Sequence, residues 1–285
     1  MPVPVLVIGN ITVGGSGKTP LVAWAATQIA QTGRRPGVVL RGYGGKSKTW
    51  PLAVNPDTDP TLAGDEAVLL ARRTACPVVA GPDRVAAASL LVEEFGCDFV
   101  ISDDGLQHYA LGRDREIAVL DGDRMLGNRM LLPAGPLRER PGRLSSVDLV
   151  VVNAGCEDTS ASFRVVANEA VNLHTGERRS LFDFGGEPCH AVAGIGNPER
   201  FFATLRAHDL SFDTREFPDH HCFVPEDLAF RDQQPVLMTE KDGVKCERFA
   251  LPHHWYVPVT ARPGPHLDRE FKRLLAGLDN GQKTA

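Results

Sequence analysis

Short apolar runs alternate with longer amphipathic stretches through the first half of the chain. Val3–Ile8, Pro36–Leu40, Pro77–Ala80, Phe99–Ser102, Glu116–Leu120 and Leu149–Asn153 read as strands, with helices over Lys18–Thr32, Asp65–Thr74 and Arg84–Glu94. Strands nearly continuous in Val and Ile, separated by helices, belong to a parallel sheet covered on both faces. The expected class is α/β. After Gly155 the pattern changes: Ser162–Leu173 and Arg178–Phe184, joined by "HTGE", read as a two-stranded ribbon, and "GGEP" then punctuates the chain. A second α/β unit starts near Cys189, with "HAVAGIG" as a strand, Pro198–His208 as a helix, and Pro235–Thr239 and Trp255–Val259 as strands. The implied domains are 1–155, a β-ribbon linker over 156–188, and a smaller α/β domain over 189–285. "GLDNGQKTA" reads as a frayed polar tail.

Composition narrows the classes. With 285 residues, 42% hydrophobic and 24% charged, the chain buries one large core or two smaller ones. A net charge of −5 and a pI near 6.0 argue against a nucleic-acid surface, so any phosphate-binding charge is local. The six cysteines, Cys76, Cys97, Cys156, Cys189, Cys222 and Cys246, form no CxxC pair, which suggests reduced thiols and a cytoplasmic setting. No apolar run approaches the ~20 residues of a membrane-spanning helix.

The chemistry begins at "GNITVGGSGKTP", Gly9–Pro20. The P-loop pattern GxxxxGK[ST] is met at Gly17, Lys18 and Thr19 but has Thr12 where its first glycine stands. Gly14, Gly15 and Gly17, with Ser16 between them, still let the backbone bend around phosphate oxygens. Lys18 reaches the β- and γ-phosphates, and the Thr19 hydroxyl suits Mg2+. The competing reading, a glycine-rich turn with an incidental lysine, does not account for the placement between a buried strand and a helix. "DFVISDDGLQH" supplies the acid such a site needs at a neighbouring strand end: Asp103 or Asp104 for the metal, with Gln107 and His108 just downstream. The same acids would also suit a solvated turn or a helix cap. Guanine recognition by an [NT]KxD pattern is not met, because Asn153 is followed by Ala154 and Gly155, and the lysine of "TEKD" (Thr239–Asp242) comes one place late. ATP is the expected nucleotide, and "TEKDGVK" reads equally well as a charged strand-to-helix turn.

Taken together, "GNITVGGSGKTP", "RGYGG" (Arg41–Gly45), "GDE" (Gly64–Glu66), "DDGLQH" (Asp103–His108), "LPAGPLRE" (Leu132–Glu139), "NAG" (Asn153–Gly155), "AGIGNPERFF" (Ala193–Phe202), "DHH" (Asp219–His221) and "TEKDGVKC" (Thr239–Cys246) resemble, in order, the tetraacyldisaccharide 4'-kinase family of P-loop kinases. The resemblance runs from about Pro2 to about Val259. It implies transfer of the ATP γ-phosphate to the 4'-hydroxyl of tetraacyldisaccharide 1-phosphate, giving lipid IV-A in lipid A biosynthesis, by two α/β/α domains joined by a β-ribbon. It further implies that Asp65 is the base, helped by His220 rather than its neighbour His221. Glu66, Asp104, Gln107, His108 and Glu139 then lie around Mg2+ and the phosphates, and Tyr43, Arg84 and Arg138 near nucleotide or substrate. Without the resemblance, Asp65 reads as a first-turn helix acid, "FPDHHCF" as a surface loop, and the arginines as solvated charges. A zinc reading of Asp219, His220, His221 and Cys222 fails because adjacent ligands cannot wrap one ion.

Peripheral contact with the cytoplasmic face of the inner membrane follows from the glycolipid substrate, and "RERPGR" (Arg138–Arg143) is a short basic run suited to an anionic lipid surface. Members of the family the chain resembles generally carry a hydrophobic N-terminal segment, and here Met1 leads directly into "PVPVLVIGN", so the expectation is a shortened form, a misassigned start, or docking through other surfaces. The rival function is a P-loop ATPase or GTPase switch that assists assembly or metallocentre maturation. It would keep the cradle and the metal acid but need no base and no acceptor pocket. A non-catalytic nucleotide scaffold would be expected to lose Lys18, Thr19 or the acids.

Overall fold

The computed structural model describes residues 1–153 and 161–281. Two compact units divide it, one formed by Met1–Val165 with the chain from Ala261 onward, the other by Val166–Thr260.

The first unit contains β1 (Val5–Gly9), α1 (Lys18–Gln31), β2 (Pro36–Leu40), β3 (Leu52–Val54), α2 (Pro60–Ala63), α3 (Asp65–Arg73), β4 (Val78–Ala80), α4 (Arg84–Glu93), β5 (Phe99–Asp103), β6 (Arg115–Asp121), β7 (Leu149–Asn153) and β8 (Ser162–Val166). The second contains β9 (Glu169–Asn172), β10 (Arg178–Ser180), β11 (Pro188–Ala193), α5 (Pro198–Arg206), β12 (Ser211–Glu216), β13 (Val236–Thr239), α6 (Glu240–Cys246) and β14 (His254–Val257). The chain then returns to the first sheet with β15 (Thr260–Pro263) and ends in α7 (Pro265–Gly281).

The large sheet has the order β15-β8-β7-β6-β1-β5-β2-β4-β3. Neighbours from β8 through β4 all pair in parallel, and β3 closes the edge antiparallel. Every residue of β1, β2 and β5 is buried, which is why these strands show no alternation in the sequence. The smaller sheet runs β10-β9-β14-β13-β11-β12, with β13 parallel to β11 and β14 and with β9 antiparallel to β14.

Three expectations are corrected. The segment 162–184 is not a free two-stranded ribbon: β8 adds to the large sheet, while β9 and β10 pair as an edge hairpin of the small one. The domain expected over 189–285 loses its C-terminal part, because β15 joins β8 and α7 packs Phe271 against Trp24 of α1, ring centroids 4.7 Å apart. The supposed polar tail is therefore helical as far as Gly281. Within "NAG", Ala154 and Gly155 lie outside the described residues, as does Cys156 with the first part of the expected linker.

Candidate active site

The nucleotide cradle sits where two central strands end side by side. β1 and β5 are parallel with Ile8 opposite Asp103, and Asp104 N–H donates to the Ile8 carbonyl at 2.8 Å. The loop leaving β1 and the acids leaving β5 therefore share one sheet edge, the place where open parallel sheets hold their ligands.

The loop is built largely from its own sequence. Gly14 and Gly17 have φ of 92° and 82°, and Gly17 caps α1. A Cβ on Gly17 would stand 2.3 Å from Asn153 Nδ2, so this position is closed to side chains by both conformation and space. Buried Asn10 donates through Nδ2 to Ser16 Oγ at 3.3 Å across the loop. Asn153, at the end of β7, donates to the Ser16 carbonyl at 3.0 Å, and Arg124 donates to the Gly15 carbonyl at 2.9 Å. Carbonyls held outward in this way leave the loop N–H groups and the N-terminus of α1 to face an anion. Thr12 bridges to Leu137, and Arg138 N–H donates to the Ile11 carbonyl at 2.7 Å, tying the loop to the segment that follows β6.

The two adjacent acids part company. Asp104, in the left-handed region at φ 51°, pairs with Lys18 Nζ at 3.4 Å and Arg138 Nη1 at 2.9 Å. Burial works to raise its pKa, but the two cations outweigh it and hold the carboxyl below its ordinary value. Asp103 points into the interior, and its Oδ1 is buried with no hydrogen-bond partner. Desolvation, reinforced by Glu66 and partly offset by Lys18, pushes it up to about 7. Arg84 is buried rather than solvated: it donates to the carbonyls of Gly81 (3.0 Å) and Asp103 (3.3 Å), and burial lowers its guanidinium to about 10. His108 is lowered by desolvation and by the Arg84 charge.

Gln107 donates to the Asn10 carbonyl at 3.0 Å and to Glu139 Oε1 at 2.6 Å, while its own Oε1 accepts from Arg138 at 3.4 Å. Glu139 also accepts from the Tyr109 hydroxyl and pairs with Arg143 at 3.5 Å. Its oxygens are thus committed to neighbouring side chains, a task different from the metal-side one expected of it. Within "RERPGR", Arg138 and Arg143 turn inward to Asp104, Glu116 and Glu139 and are not a lipid-facing strip.

Asp65 opens α3. Gly64 precedes it at φ 89°, where a Cβ would meet the Tyr43 carbonyl at 2.4 Å, so "RGYGG" and "GDE" are close-packed partners. Asp65 is buried with Glu66 beside it in the first turn, and its Oδ1 accepts from Glu66 N–H at 2.8 Å. Tyr43 is exposed at the rim of the "RGYGG" loop. In the second unit, His220 has φ 59° and its Nε2 lies 3.8 Å from Asp219, whereas His221 is committed elsewhere. His221 Nε2 pairs with Asp227 Oδ2 at 2.8 Å and its ring stacks on Phe217, so of the two histidines it has the structural task. "TEKD" is structural too: buried Asp242 accepts from Gly194 N–H and the Thr239 hydroxyl and pairs with Lys245.

Asn10, Arg124 and Tyr109 carry no signal in the sequence reading, and Asn153, Glu139 and Arg143 are given other tasks there than the ones the structure shows. Asn153 had been weighed only as a base reader, and its position at a strand end near a glycine-rich loop was the signal available.

Comparison with known proteins gives the family. The family described as tetraacyldisaccharide-1-P 4'-kinase matches residues 1–276. A tetraacyldisaccharide 4'-kinase of Nitrosococcus oceani is 57% identical over 91% of this chain and 77% of its own length. That of Alkalilimnicola ehrlichii is 52% identical over 98% and 84%. Among solved structures, LpxK from Aquifex aeolicus in complex with ATP superposes with a TM-score of 0.80 at 26% identity, covering 98% of this chain and 89% of that one. The chain belongs to the tetraacyldisaccharide 4'-kinase family.

Proposed function

We infer that the chain transfers the γ-phosphate of ATP to the 4'-hydroxyl of tetraacyldisaccharide 1-phosphate, with Asp65 accepting the hydroxyl proton and Mg2+ held beside Asp103. The observation that carries the division of roles is the contrast between the neighbouring acids. Each keeps one buried oxygen that accepts no hydrogen bond, but Asp104 is held ionised by Lys18 and Arg138, while the Asp103 carboxyl is raised to about 7. An unpartnered buried carboxylate is costly in a protein interior, and a cation brought in with the nucleotide relieves it.

Among the described residues, no three His, Cys, Asp or Glu side chains could hold an ion on their own. That suits Mg2+, which keeps waters and takes one or two carboxylates together with substrate phosphates. Asp103 and the Thr19 hydroxyl are the holding groups, with Glu66 near Asp103. A bound ion would supply positive charge to offset the negative charge of the phosphates.

Phosphoryl transfer asks the protein mainly for position and charge. Lys18, kept in place by Asp104, meets the β- and γ-phosphates, and the N–H groups of Gly14 to Thr19 wrap them. Arg138, oriented by Asp104 and Gln107, offers a second cation. A sugar hydroxyl is a weak nucleophile, so a carboxylate must take its proton as the bond to phosphorus forms. Asp65, buried at the start of α3 with its Oδ1 held by the Glu66 amide, is the carboxylate assigned to take that proton. His220, in the second unit, is a further candidate for the transfer chemistry. Contact with the inner membrane follows from an acceptor anchored in a bilayer, and no helix among the described residues is long and apolar enough to cross one. A base at Asp65 serves acceptor chemistry and has no task in a switch, which would share the metal acid.

The test is transfer of label from γ-labelled ATP to detergent-dispersed acceptor, with Lys18→Ala and Asp65→Ala beside the unaltered chain. Label in the disaccharide, lost in both variants, is expected. Hydrolysis of ATP that ignores the acceptor would overturn the reading in favour of a switch.

A further inference from the structure

The segment Gly122–Arg140, between β6 and the Arg138–Glu139 pair of the site, exposes apolar side chains that no part of its unit covers. Met130, Leu131 and Leu132 are consecutive and 52%, 40% and 52% exposed, and Met125 in the same segment is 46% exposed. This exposure does not come from a slack chain. Asn128 clamps the loop from inside, donating to the Ala134 carbonyl at 2.9 Å and accepting from Met130 N–H at 3.1 Å. Leu132 and Leu137 N–H donate to the carbonyls of Leu137 and Met130, and Val13 N–H donates to the Pro136 carbonyl at 2.8 Å. The loop is thus stitched to itself and to the nucleotide cradle, with its largest apolar groups turned outward. Large apolar residues grouped in this way on a fixed loop mark a surface with a partner.

Charge identifies the partner. Of the four arginines in Gly122–Arg140, Arg124 pairs with Asp121 and Arg138 with Asp104, which leaves Arg129 and Arg140 as the charge this surface presents, in a chain of net charge −5. Arg129, between the exposed methionines, and Arg140 are exposed. Apolar side chains interleaved with arginine suit the interface of an anionic bilayer, where the former enter the headgroup boundary and the latter meet lipid phosphates. We propose that Met125–Leu132 is a membrane-docking loop that seats the first unit on an anionic lipid surface beside its own nucleotide cradle. The proposal rests on the kinase reading, because a bilayer-held acceptor is what would make such a seat useful. It places docking on this loop and not on "RERPGR".

The test is sedimentation of the full chain with phosphatidylcholine vesicles, with and without phosphatidylglycerol. The variants are Met130→Asp with Leu132→Asp, Arg129→Glu, and Phe182→Asp as a control on an exposed apolar residue of the second unit. Melting temperature and labelled-phosphate transfer to detergent-dispersed acceptor are measured in parallel. The unaltered chain and Phe182→Asp are expected to bind phosphatidylglycerol vesicles. Arg129→Glu should bind at least about fivefold more weakly, and the double variant should lose binding while keeping its fold and its transfer in detergent. Equal sedimentation of all variants, or none by the unaltered chain, overturns the docking loop. So does a double variant that still binds vesicles but fails to use dispersed acceptor, since the loop would then hold acyl chains of the substrate. Loss of transfer by the unaltered chain would sink the kinase reading and leave the sedimentation result standing.

Discussion

At the scale of single residues, the site separates groups that touch phosphates from groups that hold those groups still. Asn153 is of the second kind: wholly buried, it fixes the Ser16 carbonyl from a strand end two positions away in the sheet. Asn153→Ala removes that bond and leaves a loop that must order itself on binding, so KM for ATP should rise about tenfold while kcat falls less. Equal loss in both would put Asn153 in the transition state instead. Asp103 makes a prediction in the absence of nucleotide and metal. Its folded pKa of about 7 stands above an unfolded value of about 3.9, so its protonated form favours the fold. That contribution is full below about pH 4 and is lost as pH rises through about 7. Asp103→Asn should therefore melt higher than the unaltered ligand-free chain at pH 8, by about 3–8 °C, with the gap closing at pH 5. A gap that widens toward acid would show that Asp103 is partnered. Of the histidines, His220→Ala should slow transfer and His221→Ala should chiefly lower stability, because His221 is paired to Asp227 and stacked on Phe217.

Secondary elements carry the next step, since glycine geometry decides where the helices of the site begin. Gly17→Ala would force a Cβ into Asn153 and strain a φ of 82°, so nucleotide binding should fall below detection in a calorimetric titration with ATP. Gly15 has nothing within 4 Å of a built Cβ, so Gly15→Ala should leave the melting temperature of the nucleotide-free protein almost unchanged. These same elements were the most legible from sequence. β2 and β7 run over the expected residues, and α1, α3 and α4 fall within one residue of expectation, because the continuous Val and Ile runs and the helix-start signals are local. β15 and α7 were not legible, because joining β8 and packing on Trp24 are decided by tertiary partners far along the chain. Short β3 has three residues and a partly exposed face, too little pattern to register. At the site, Lys18 and the acids announced themselves by motif. What each acid does depends on which side of a strand end it leaves, a distinction between Asp103 and Asp104 that no spacing contains.

At the scale of the whole molecule, the chain holds two units with separate cores, and each buries one group, Asp103 in the first and His254 in the second, that ties the fold to pH in opposite directions. In the first, Asp103 favours the fold when protonated. In the second, His254 is buried in β14, its Nδ1 accepts from Leu251 N–H at 3.2 Å, and its Nε2 has no partner. Desolvation, with His253 adding its charge, lowers His254 to about 4. A histidine held below its unfolded value of about 6.5 favours the fold only while neutral, so this contribution is present above about pH 6.5 and is lost as pH falls through about 4. Acid therefore loosens the second unit through His254 while it relieves the first at Asp103. Because each unit buries its own core, this difference should appear as separate opening rather than one global transition. Amide exchange followed at pH 7 and at pH 5, corrected for intrinsic rates, should show protection in β13 and β14 falling relative to β1 and β5. His254→Gln should remove most of that relative fall; if protection in both sheets drops together with His254 intact, the two units unfold as one and the histidine does not set the acid limit.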